Sequence, residues 1–295
     1  MKQLYLSCLS VALLALGSVS VQADEITVFL LAGQSNMAGR ADADNLAAGL
    51  RRPQSEVQLF DGTTNADSFR PLAPDSGTDF GPEVTFGQSL IASNPDARIA
   101  LIKSADGGTN LSNDWDPNQQ NNNYTAFTDT VALGLQKLAD QGHNVTIGGM
   151  LWTQGETDAF GNRTQAQYAN DLTEFIAAVR GSYGQDLPFF LSRLSDNQTA
   201  ITTAGYNSVR AAQDQVAAND PNAFLIDTDG FGIKSDDLHF NAQGQVSLGE
   251  AFATAVSEVV PIPEPTTAGI LGVSTAILLI RRTRPVSRPG PSVRF

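Results

Sequence analysis

Cysteine, histidine and basic residues are all scarce in this 295-residue sequence, and each scarcity excludes a class of function. The single cysteine, Cys8, lies in the apolar N-terminal segment, so residues 24–260 contain no disulfide, no thiolate nucleophile and no cysteine metal site. Twelve of the 18 basic and 30 of the 31 acidic residues fall within 24–260, which therefore carry a formal charge of −18. A surface this acidic repels phosphate backbones, which argues against nucleic-acid binding. It suits an extracellular protein that acts on a neutral or acetylated substrate.

The N-terminal segment has the features of a secretory signal peptide. Residues 1–23 begin with Lys2, continue with an apolar stretch over 4–16, and end in Val21-Gln22-Ala23, which fits a small-x-small cleavage site. The stretch is short for a transmembrane helix, and no stop-transfer segment follows it. We therefore expect export, with a mature chain that begins at Asp24.

The C-terminal segment, 261–295, combines a proline-rich stretch, an apolar run and a group of arginines. Residues 261–265 read Pro-Ile-Pro-Glu-Pro, which is incompatible with a helix interior, and 266–280 form a run of 15 residues without charge. Arginines follow at 281, 282 and 284, as expected on the cytoplasmic side of a membrane. This pattern resembles a PEP-CTERM sorting tail, and the resemblance implies processing by an exosortase and a final place at the cell surface or outside the cell. An ordinary C-terminal membrane anchor is the alternative.

Residues 24–260 are enough for one domain with one buried core. Apolar runs alternate with amphipathic helical patterns, which predicts βα units and a parallel sheet. The predicted strands cover 26–32, 98–103, 145–152, 187–194 and 223–227, with 57–60 as a candidate short extra strand, and the predicted helices cover 82–94, 124–141, 165–182, 202–218 and 243–259. The fold class is therefore α/β: a three-layer α/β/α sandwich with a five-stranded parallel sheet, whose ligands bind beyond the carboxyl ends of the strands.

A candidate nucleophile, Ser35, directly follows the first predicted strand in the segment Gly33-Gln34-Ser35-Asn36-Met37. At a strand-to-helix turn, backbone N–H groups and a helix N-terminus face a developing anion. Met37 occupies the place of the second glycine of G-x-S-x-G, so this is not the elbow of α/β-hydrolases. A serine at this place is also an ordinary helix N-cap, so its partners decide between the two roles.

The sequence offers two histidines that could serve as the base for a serine hydroxyl. His143 precedes the third predicted strand, so we expect a solvated turn residue at the wrong edge of the sheet. His239 follows the fifth strand, at the same edge as Ser35. Asp236, three residues earlier, can accept the second N–H of the imidazole, fix its tautomer and stabilise the imidazolium. A capping aspartate beside an incidental histidine is the competing interpretation.

Two further segments follow strands at this edge and contain groups that can donate to a tetrahedral oxyanion. Gly107 and Gly108 come after the second strand and lack side chains, which lets a backbone N–H approach a substrate closely. Gln154 comes after the third strand and offers a side-chain amide. A plain turn is the alternative for the glycines, and helix capping is the alternative for Gln154 and Glu156.

Together these segments resemble the motif blocks of the SGNH hydrolases. The blocks are Gly33-Gln34-Ser35-Asn36-Met37, Gly107-Gly108-Thr109, Trp152-x-Gln154-Gly155-Glu156-x-Asp158 and Asp236-x-x-His239. The branch that they resemble is the sialate O-acetylesterase and acetylxylan esterase group, carbohydrate esterase family 6. The resemblance covers residues 26–250 and implies a flavodoxin-like sheet and hydrolysis through an acyl-enzyme.

For the reacting groups, the resemblance implies Ser35 as the nucleophile, His239 as the base and Asp236 as the acid that orients the base. Asp237 stands where the family often has glycine after the first aspartate. Which carboxylate serves His239 is therefore left open between Asp236, Asp237 and Glu156.

For the oxyanion, the resemblance implies three donors: the backbone N–H of Ser35, that of Gly107 with Gly108 as the alternative, and the side chain of Gln154. Most SGNH enzymes have asparagine at the position of Gln154, and glutamine is typical of this branch. The mechanism requires no metal and no other cofactor.

We therefore expect an exported serine esterase that removes O-acetyl groups from a polysaccharide or glycan. The alternatives are a broader-specificity lipase or thioesterase that uses the same residues, and a non-catalytic surface protein that binds carbohydrate. Glu83, at the start of the helix at 82–94, is expected to interact with the helix dipole and not with substrate. Trp115, in the long loop at 112–123, either stacks on a sugar or packs in the core.

Overall fold

The computed structural model describes residues 24–64, 67–74 and 79–263. The signal peptide predicted for 1–23 and all but the first three residues of the tail predicted for 261–295 lie outside the described residues. Within these described ranges, no helix is both long enough and apolar enough to cross a membrane.

Strands and helices alternate along the described chain. The strands are β1 (Asp24–Gly33), β2 (Ala41–Asp42), β3 (Gln54–Asp61), β4 (Arg70–Leu72), β5 (Asp79–Phe80), β6 (Ile99–Ala105), β7 (His143–Thr153), β8 (Phe189–Ser192) and β9 (Ala223–Ile226). The α-helices are α1 (Ser35–Ala38), α2 (Glu83–Ser93), α3 (Asn123–Asp140), α4 (Glu156–Phe160), α5 (Gln165–Tyr183), α6 (Ala204–Asn219) and α7 (Ala242–Val259). Each of the five predicted strands and five predicted helices is present, with ends that differ by at most two residues.

Seven strands form the main sheet, in the order β4-β3-β6-β1-β7-β8-β9. Every neighbouring pair is parallel except β3 with β4. The strands β6, β1, β7, β8 and β9, counted along the chain, have the order 2-1-3-4-5 of flavodoxin-like sheets. The predicted α/β class with a parallel sheet is confirmed.

The sheet is larger than the five strands predicted, because β3 and β4 extend it beyond β6. The candidate strand at 57–60 is the buried half of β3, whose first residues are exposed or half-buried and so carry no apolar pattern. The three-residue β4 contains Pro71, which cannot donate to a central ladder but is tolerated on an edge strand. Short, partly polar edge strands such as these cannot be predicted from hydrophobic runs in the sequence.

Successive side chains of β1 enter two different cores, since neighbouring residues of a strand face opposite sides of the sheet. Val28 and Leu30 pack in the core that includes residues of α3, α5 and α6. Phe29 and Leu31 pack in the core that includes residues of α2 and α7. Helices cover both faces of the sheet, which accounts for the continuous apolar runs of its central strands.

A buried ion pair joins the second core to the segment that follows β1. Lys103 on β6 and Glu83, the first residue of α2, are both almost completely buried, and Nζ lies 2.9 Å from Oε2. The ammonium of Lys103 also donates to the carbonyl of Ala38 at 2.8 Å, and Glu83 accepts from the backbone N–H of Gly81 at 3.0 Å. Glu83 therefore does more than face a helix dipole, because its carboxylate holds the cation that binds the end of α1.

The variant Lys103→Met is expected to lower the free energy of unfolding by about 3–5 kcal/mol, because it leaves the charge of Glu83 buried without its cation. The double variant Lys103→Met/Glu83→Leu is expected to recover most of this loss, since an apolar pair carries no buried charge. Urea unfolding at pH 7 measures both values. A double variant no more stable than the single one would contradict this account of the pair.

Candidate active site

The turn that presents Ser35 depends on a glycine at the end of β1. Gly33 has a φ of +148°, and a Cβ at this position would collide with the carbonyl of Thr153 on the neighbouring strand β7. The backbone N–H of Gln34 donates to that same carbonyl at 2.9 Å. The chain then leaves the sheet, and α1 begins at Ser35, which is only 6% exposed.

Ser35, His239 and Asp236 form a continuous chain of hydrogen-bonded side chains. Oγ of Ser35 lies 3.0 Å from Nε2 of His239, and Nδ1 of His239 lies 2.9 Å from Oδ2 of Asp236. The other carboxylate oxygen of Asp236 accepts from the backbone N–H groups of Leu238 and His239 at 3.0 and 2.9 Å. The turn thus fixes the carboxylate, and the carboxylate orients the imidazole so that Nε2 faces Ser35.

The environment of Asp236 keeps its carboxyl group ionised at neutral pH. Partial burial alone raises the pKa of this group, but hydrogen bonds from the backbone and ring of His239 and from the backbone of Leu238 outweigh it, and the pKa falls from 3.8 to about 2. An ionised partner at Nδ1 favours the tautomer with the proton on Nδ1, which leaves Nε2 as the acceptor for the serine hydroxyl.

The other two candidate acids have different contacts. Asp237 has a φ of +56°, a left-handed conformation that agrees with the glycine often found here in SGNH hydrolases. Oε1 of Glu156 accepts from Nδ2 of Asn36 at 2.6 Å and from Nε2 of Gln198 at 3.1 Å. Among the candidate acids in the described chain, it is Asp236 whose carboxylate is hydrogen-bonded to the ring of His239.

The loop after β6 places Gly107 beside Ser35. A Cβ built on Gly107 would lie 3.6 Å from Cβ of Ser35 and 2.9 Å from Nη2 of Arg40, so this loop, Ser35 and the guanidinium of Arg40 are neighbours. Gly108 follows with a φ of +75° and no atom within 4 Å of an added Cβ. No acceptor within the described residues binds the backbone N–H groups of Ser35, Gly107 or Gly108. These N–H groups are therefore free to donate to a substrate.

The side-chain amide of Gln154, which the resemblance implied as an oxyanion donor, is hydrogen-bonded to neighbouring residues. Its Nε2 donates to the carbonyl of Thr109 at 3.1 Å and to Oδ2 of Asp158 at 2.5 Å, while its Oε1 accepts from the hydroxyl of Tyr168 at 2.8 Å. Both N–H groups of the amide are therefore already engaged. The physical reason for this placement is the buried carboxylate of Asp158, four residues later in the same motif. A buried carboxylate requires a hydrogen-bond donor, and the sequence pattern did not indicate that Gln154 would be that donor.

Asp158 is hydrogen-bonded to the loop that follows β6. Its Oδ2 also accepts from the backbone N–H of Leu111 at 2.9 Å, so Asp158 and Gln154 together hold the backbone at 109–111. Burial raises the pKa of Asp158 from 3.8 to about 6, and the hydrogen bonds from Gln154 and Leu111 oppose this rise only in part. This side chain therefore changes charge close to neutral pH.

Two buried amides, Asn36 and Gln198, complete the site although the sequence reasoning assigned them no role. Asn36 is adjacent to Ser35 in the first motif, and that position could have drawn attention to it. Gln198 lies in the loop between β8 and α6, where no motif is visible. Its contact with Glu156 joins positions 42 residues apart and becomes evident only in the folded chain.

Two other residues considered from the sequence lie away from the reacting groups. His143 lies at the end of the strands opposite to Ser35, as predicted, but it is the half-buried first residue of β7 and not a solvated turn residue, because β7 begins two residues earlier than expected. Trp115 is completely buried, and its ring lies 5.0 Å from that of Trp152 in an edge-to-face arrangement. Of the two roles left open for Trp115, the structure shows packing. Within the described residues, no three His, Cys, Asp or Glu side chains are grouped to hold a metal ion.

The fold and the side-chain arrangement define a class: hydrolases with a parallel sheet and a serine–histidine–aspartate hydrogen-bond chain at the carboxyl edge of that sheet. Comparison with family models is more specific. Residues 25–258 match the family described as "Carbohydrate esterase, sialic acid-specific acetylesterase". The chain belongs to this family, and it is therefore a carboxylic ester hydrolase of the carbohydrate acetylesterase type.

Individual relatives agree with this assignment. A probable carbohydrate esterase of Arabidopsis thaliana is 25% identical over 246 residues, which cover 77% of this chain and 89% of that protein. The X-ray structure of that Arabidopsis protein matches with a TM-score of 0.64 at 24% identity, covering 80% of this chain and 99% of the other. A carbohydrate acetylesterase from Xanthomonas citri matches with a TM-score of 0.58 at 18% identity, covering 79% of this chain and 56% of the other. At these identities the structural matches bear on the fold alone.

The raised pKa of Asp158 predicts a specific dependence of stability on pH. Because the folded state holds this proton up to about pH 6 and the unfolded chain only to 3.8, the contribution of Asp158 to stability falls as pH rises between these values. The wild type is expected to lose up to about 3 kcal/mol relative to Asp158→Asn between pH 4 and pH 7. Urea unfolding of both proteins across this range measures the difference, and a difference that does not vary with pH would rule out the raised pKa.

Proposed function

We propose that the protein hydrolyses O-acetyl esters of a carbohydrate through an acetyl-enzyme formed on Ser35. As Oγ attacks the acetyl carbonyl carbon, Nε2 of His239 takes its proton, and Asp236 stabilises the imidazolium. Collapse of the tetrahedral intermediate breaks the ester bond, and the imidazolium gives its proton to the leaving sugar oxygen. A water molecule deprotonated by His239 then attacks the acetyl group, releasing acetate and restoring Ser35.

One observation carries this proposal: the hydrogen bonds of 3.0 and 2.9 Å that connect Ser35 through His239 to Asp236. This is the geometry that a nucleophile, a base and an orienting acid require. The free N–H groups of Ser35 and Gly107 lend further support, because negative charge develops beside Oγ during attack. Gln154 supports the same loop through Thr109, and we assign the oxyanion contacts to the backbone.

The family description names carbohydrate esters and acetyl groups, and this supports the substrate class. We place the chain in the branch of carbohydrate esterase family 6 on the motif blocks alone. We also propose that the protein acts at the cell surface or outside the cell. The composition of residues 1–23 supports passage through the export machinery, and the PEP-CTERM-like pattern at 261–295 supports an exosortase as a processing partner.

Acetate release from p-nitrophenyl acetate and from acetylated xylan tests the proposal when the wild type is compared with Ser35→Ala. The substitution is expected to lower kcat by at least about 1000-fold for both substrates, because it removes the nucleophile. Acetate release by the wild type from the small ester alone, abolished by the substitution, would retain the mechanism and exclude xylan as the substrate. A preference for long acyl chains would favour a lipase or thioesterase. No hydrolysis by a folded protein that still binds polysaccharide would favour a non-catalytic binding protein.

The cationic side chain of Arg40 near Ser35, with Lys234 next to it, supports an acidic sugar as the acetylated substrate. The guanidinium of Arg40 lies against Gly107, and the ammonium of Lys234 donates to the carbonyl of Arg40 at 2.8 Å. Both side chains are exposed, and no carboxylate of the described residues forms an ion pair with either one. In a domain with a formal charge of −18, a guanidinium beside Ser35 that no described carboxylate pairs with suits a carboxylate on the substrate. This narrows the neutral or acetylated substrate that acidity alone suggested to an acetylated acidic sugar.

The variant Arg40→Gln is expected to raise KM for an O-acetylated acidic sugar by about 10-fold or more, because a hydrogen bond to a charged group is lost. KM for p-nitrophenyl acetate, which has no carboxylate, is expected to stay unchanged. Arg98→Gln is the matched control, since Arg98 precedes β6 and lies at the opposite edge of the sheet. An equal effect of Arg40→Gln on both substrates would exclude recognition of a carboxylate.

A further inference from the structure

Asn36, the residue after Ser35, is hydrogen-bonded to both peptide groups that flank His239. Its Oδ1 accepts from the backbone N–H of Phe240 at 2.9 Å, and its Nδ2 donates to the carbonyl of Leu238 at 3.4 Å. Asn36 is completely buried, so these bonds are shielded from water. The position of the base is thereby tied to the residue adjacent to the nucleophile, 202 to 204 positions earlier in the chain.

A buried carboxylate, Glu156, holds this amide in place. Its Oε1 accepts from Nδ2 of Asn36 at 2.6 Å and from Nε2 of Gln198 at 3.1 Å. Gln198 in turn donates to the carbonyl of Leu238 at 2.9 Å, so two amides bound to one carboxylate oxygen meet at the peptide before His239. An acceptor at this position fixes the orientation of the Asn36 amide, because Nδ2 must face Glu156 and Oδ1 must then face Phe240.

The environment of Glu156 is unusual for a group with only a structural role. It is 2% exposed, no cation of the described residues forms an ion pair with it, and its Oε2 has no hydrogen-bond partner among them. Burial of a carboxylate without a cation carries a large desolvation cost. If Glu156 only filled space, an apolar side chain of similar size would fill it without this desolvation cost. The contacts of Glu156 instead converge on the peptide bonds on either side of His239.

We propose that Glu156 is a positioning residue for the base: through Asn36 and Gln198 it holds the backbone at 238–240 so that Nε2 of His239 stays within reach of Ser35. This inference rests on the proposed function and assigns Glu156 a role other than that of the acid partner of His239. Asp236 orients the ring within its own turn, whereas Glu156 places the turn relative to α1. Nucleophile and base therefore keep their separation although they come from opposite ends of the domain.

Kinetics of Glu156→Ala and Glu156→Gln test the proposal. In the alanine variant, kcat for p-nitrophenyl acetate is expected to fall by about 100-fold with KM within about twofold, because misplacement of a catalytic group by about 1 Å has an effect of this size. The glutamine variant retains an oxygen acceptor for both amides, so it is expected to restore kcat to within about fivefold of the wild type. Glu174→Gln, an exposed position on α5, is the control and should leave both constants unchanged.

Nuclear magnetic resonance of the histidine rings provides a readout that does not depend on turnover. The chain has only two histidines, so the ring nitrogens of His239 can be assigned with His143 as an internal reference. In the wild type and in Glu156→Gln we expect a single Nδ1–H tautomer with a protected, downfield proton. In Glu156→Ala we expect this proton to exchange rapidly while the signals of His143 stay unchanged.

The two readouts separate the failure of this inference from the failure of the proposed function. A wild type that releases no acetate but shows the expected changes at His239 would refute the esterase and retain the positioning role. An active wild type whose Glu156→Ala variant keeps both kcat and the protected proton would refute the positioning role alone. If the alanine variant does not fold, the glutamine variant decides: a 100-fold loss of kcat with an unchanged His239 proton would overturn the proposal.

Discussion

The site depends on the parallel alignment of three central strands that end at the same level of the sheet. Gly33, the last residue of β1, is paired with Ala105 of β6 on one side and with Thr153 of β7 on the other. Ser35 and Gly107 therefore each lie two residues beyond these paired ends. Because parallel strands all present their carboxyl ends at one edge, satisfying the backbone hydrogen bonds of the sheet also brings together Ser35 and the backbone N–H of Gly107. His239 and Asp236 come from farther along the same edge, in the segment between β9 and α7.

The buried carboxylates of Glu83, Glu156 and Asp158 lie near this edge, and each is stabilised in a different way. Glu83 is paired with Lys103, so charge is compensated by charge. Glu156 accepts two amide N–H groups and contacts no cation within the described residues. Asp158 accepts an amide and a backbone N–H, and its pKa rises to about 6. Burial removes all three carboxylates from water, and each one is compensated by a different kind of partner: a cation, two side-chain amides, or one amide and one backbone N–H.

Most of the fold could be predicted from the sequence, because central strands and amphipathic helices have strong periodicity. The strands β3 and β4 could be predicted only in part, since an edge strand buries few residues. The grouping of Ser35, His239 and Asp236 followed from two local signals, the position of each motif after a strand and the spacing of three residues in the last turn. The contacts of Gln154 and Asn36 could not be predicted in this way. They depend on which buried acid lies nearest in space, and the pairs that decide this are up to 120 residues apart.

The short helix α4 connects the two halves of the proposed chemistry. It begins directly after β7, at the level where β1 and β6 also end, and it contains both Glu156 and Asp158. Glu156 contacts the amides that hold the turn of His239, and Asp158 contacts the loop that carries the glycine N–H donors, directly at Leu111 and through Gln154 at Thr109. A helix of five residues has little stability of its own, so its place is set by β7 and by these buried hydrogen bonds. The turn of His239 and the loop of Gly107 are thereby both held, directly or through a buried amide, by residues of this one short helix.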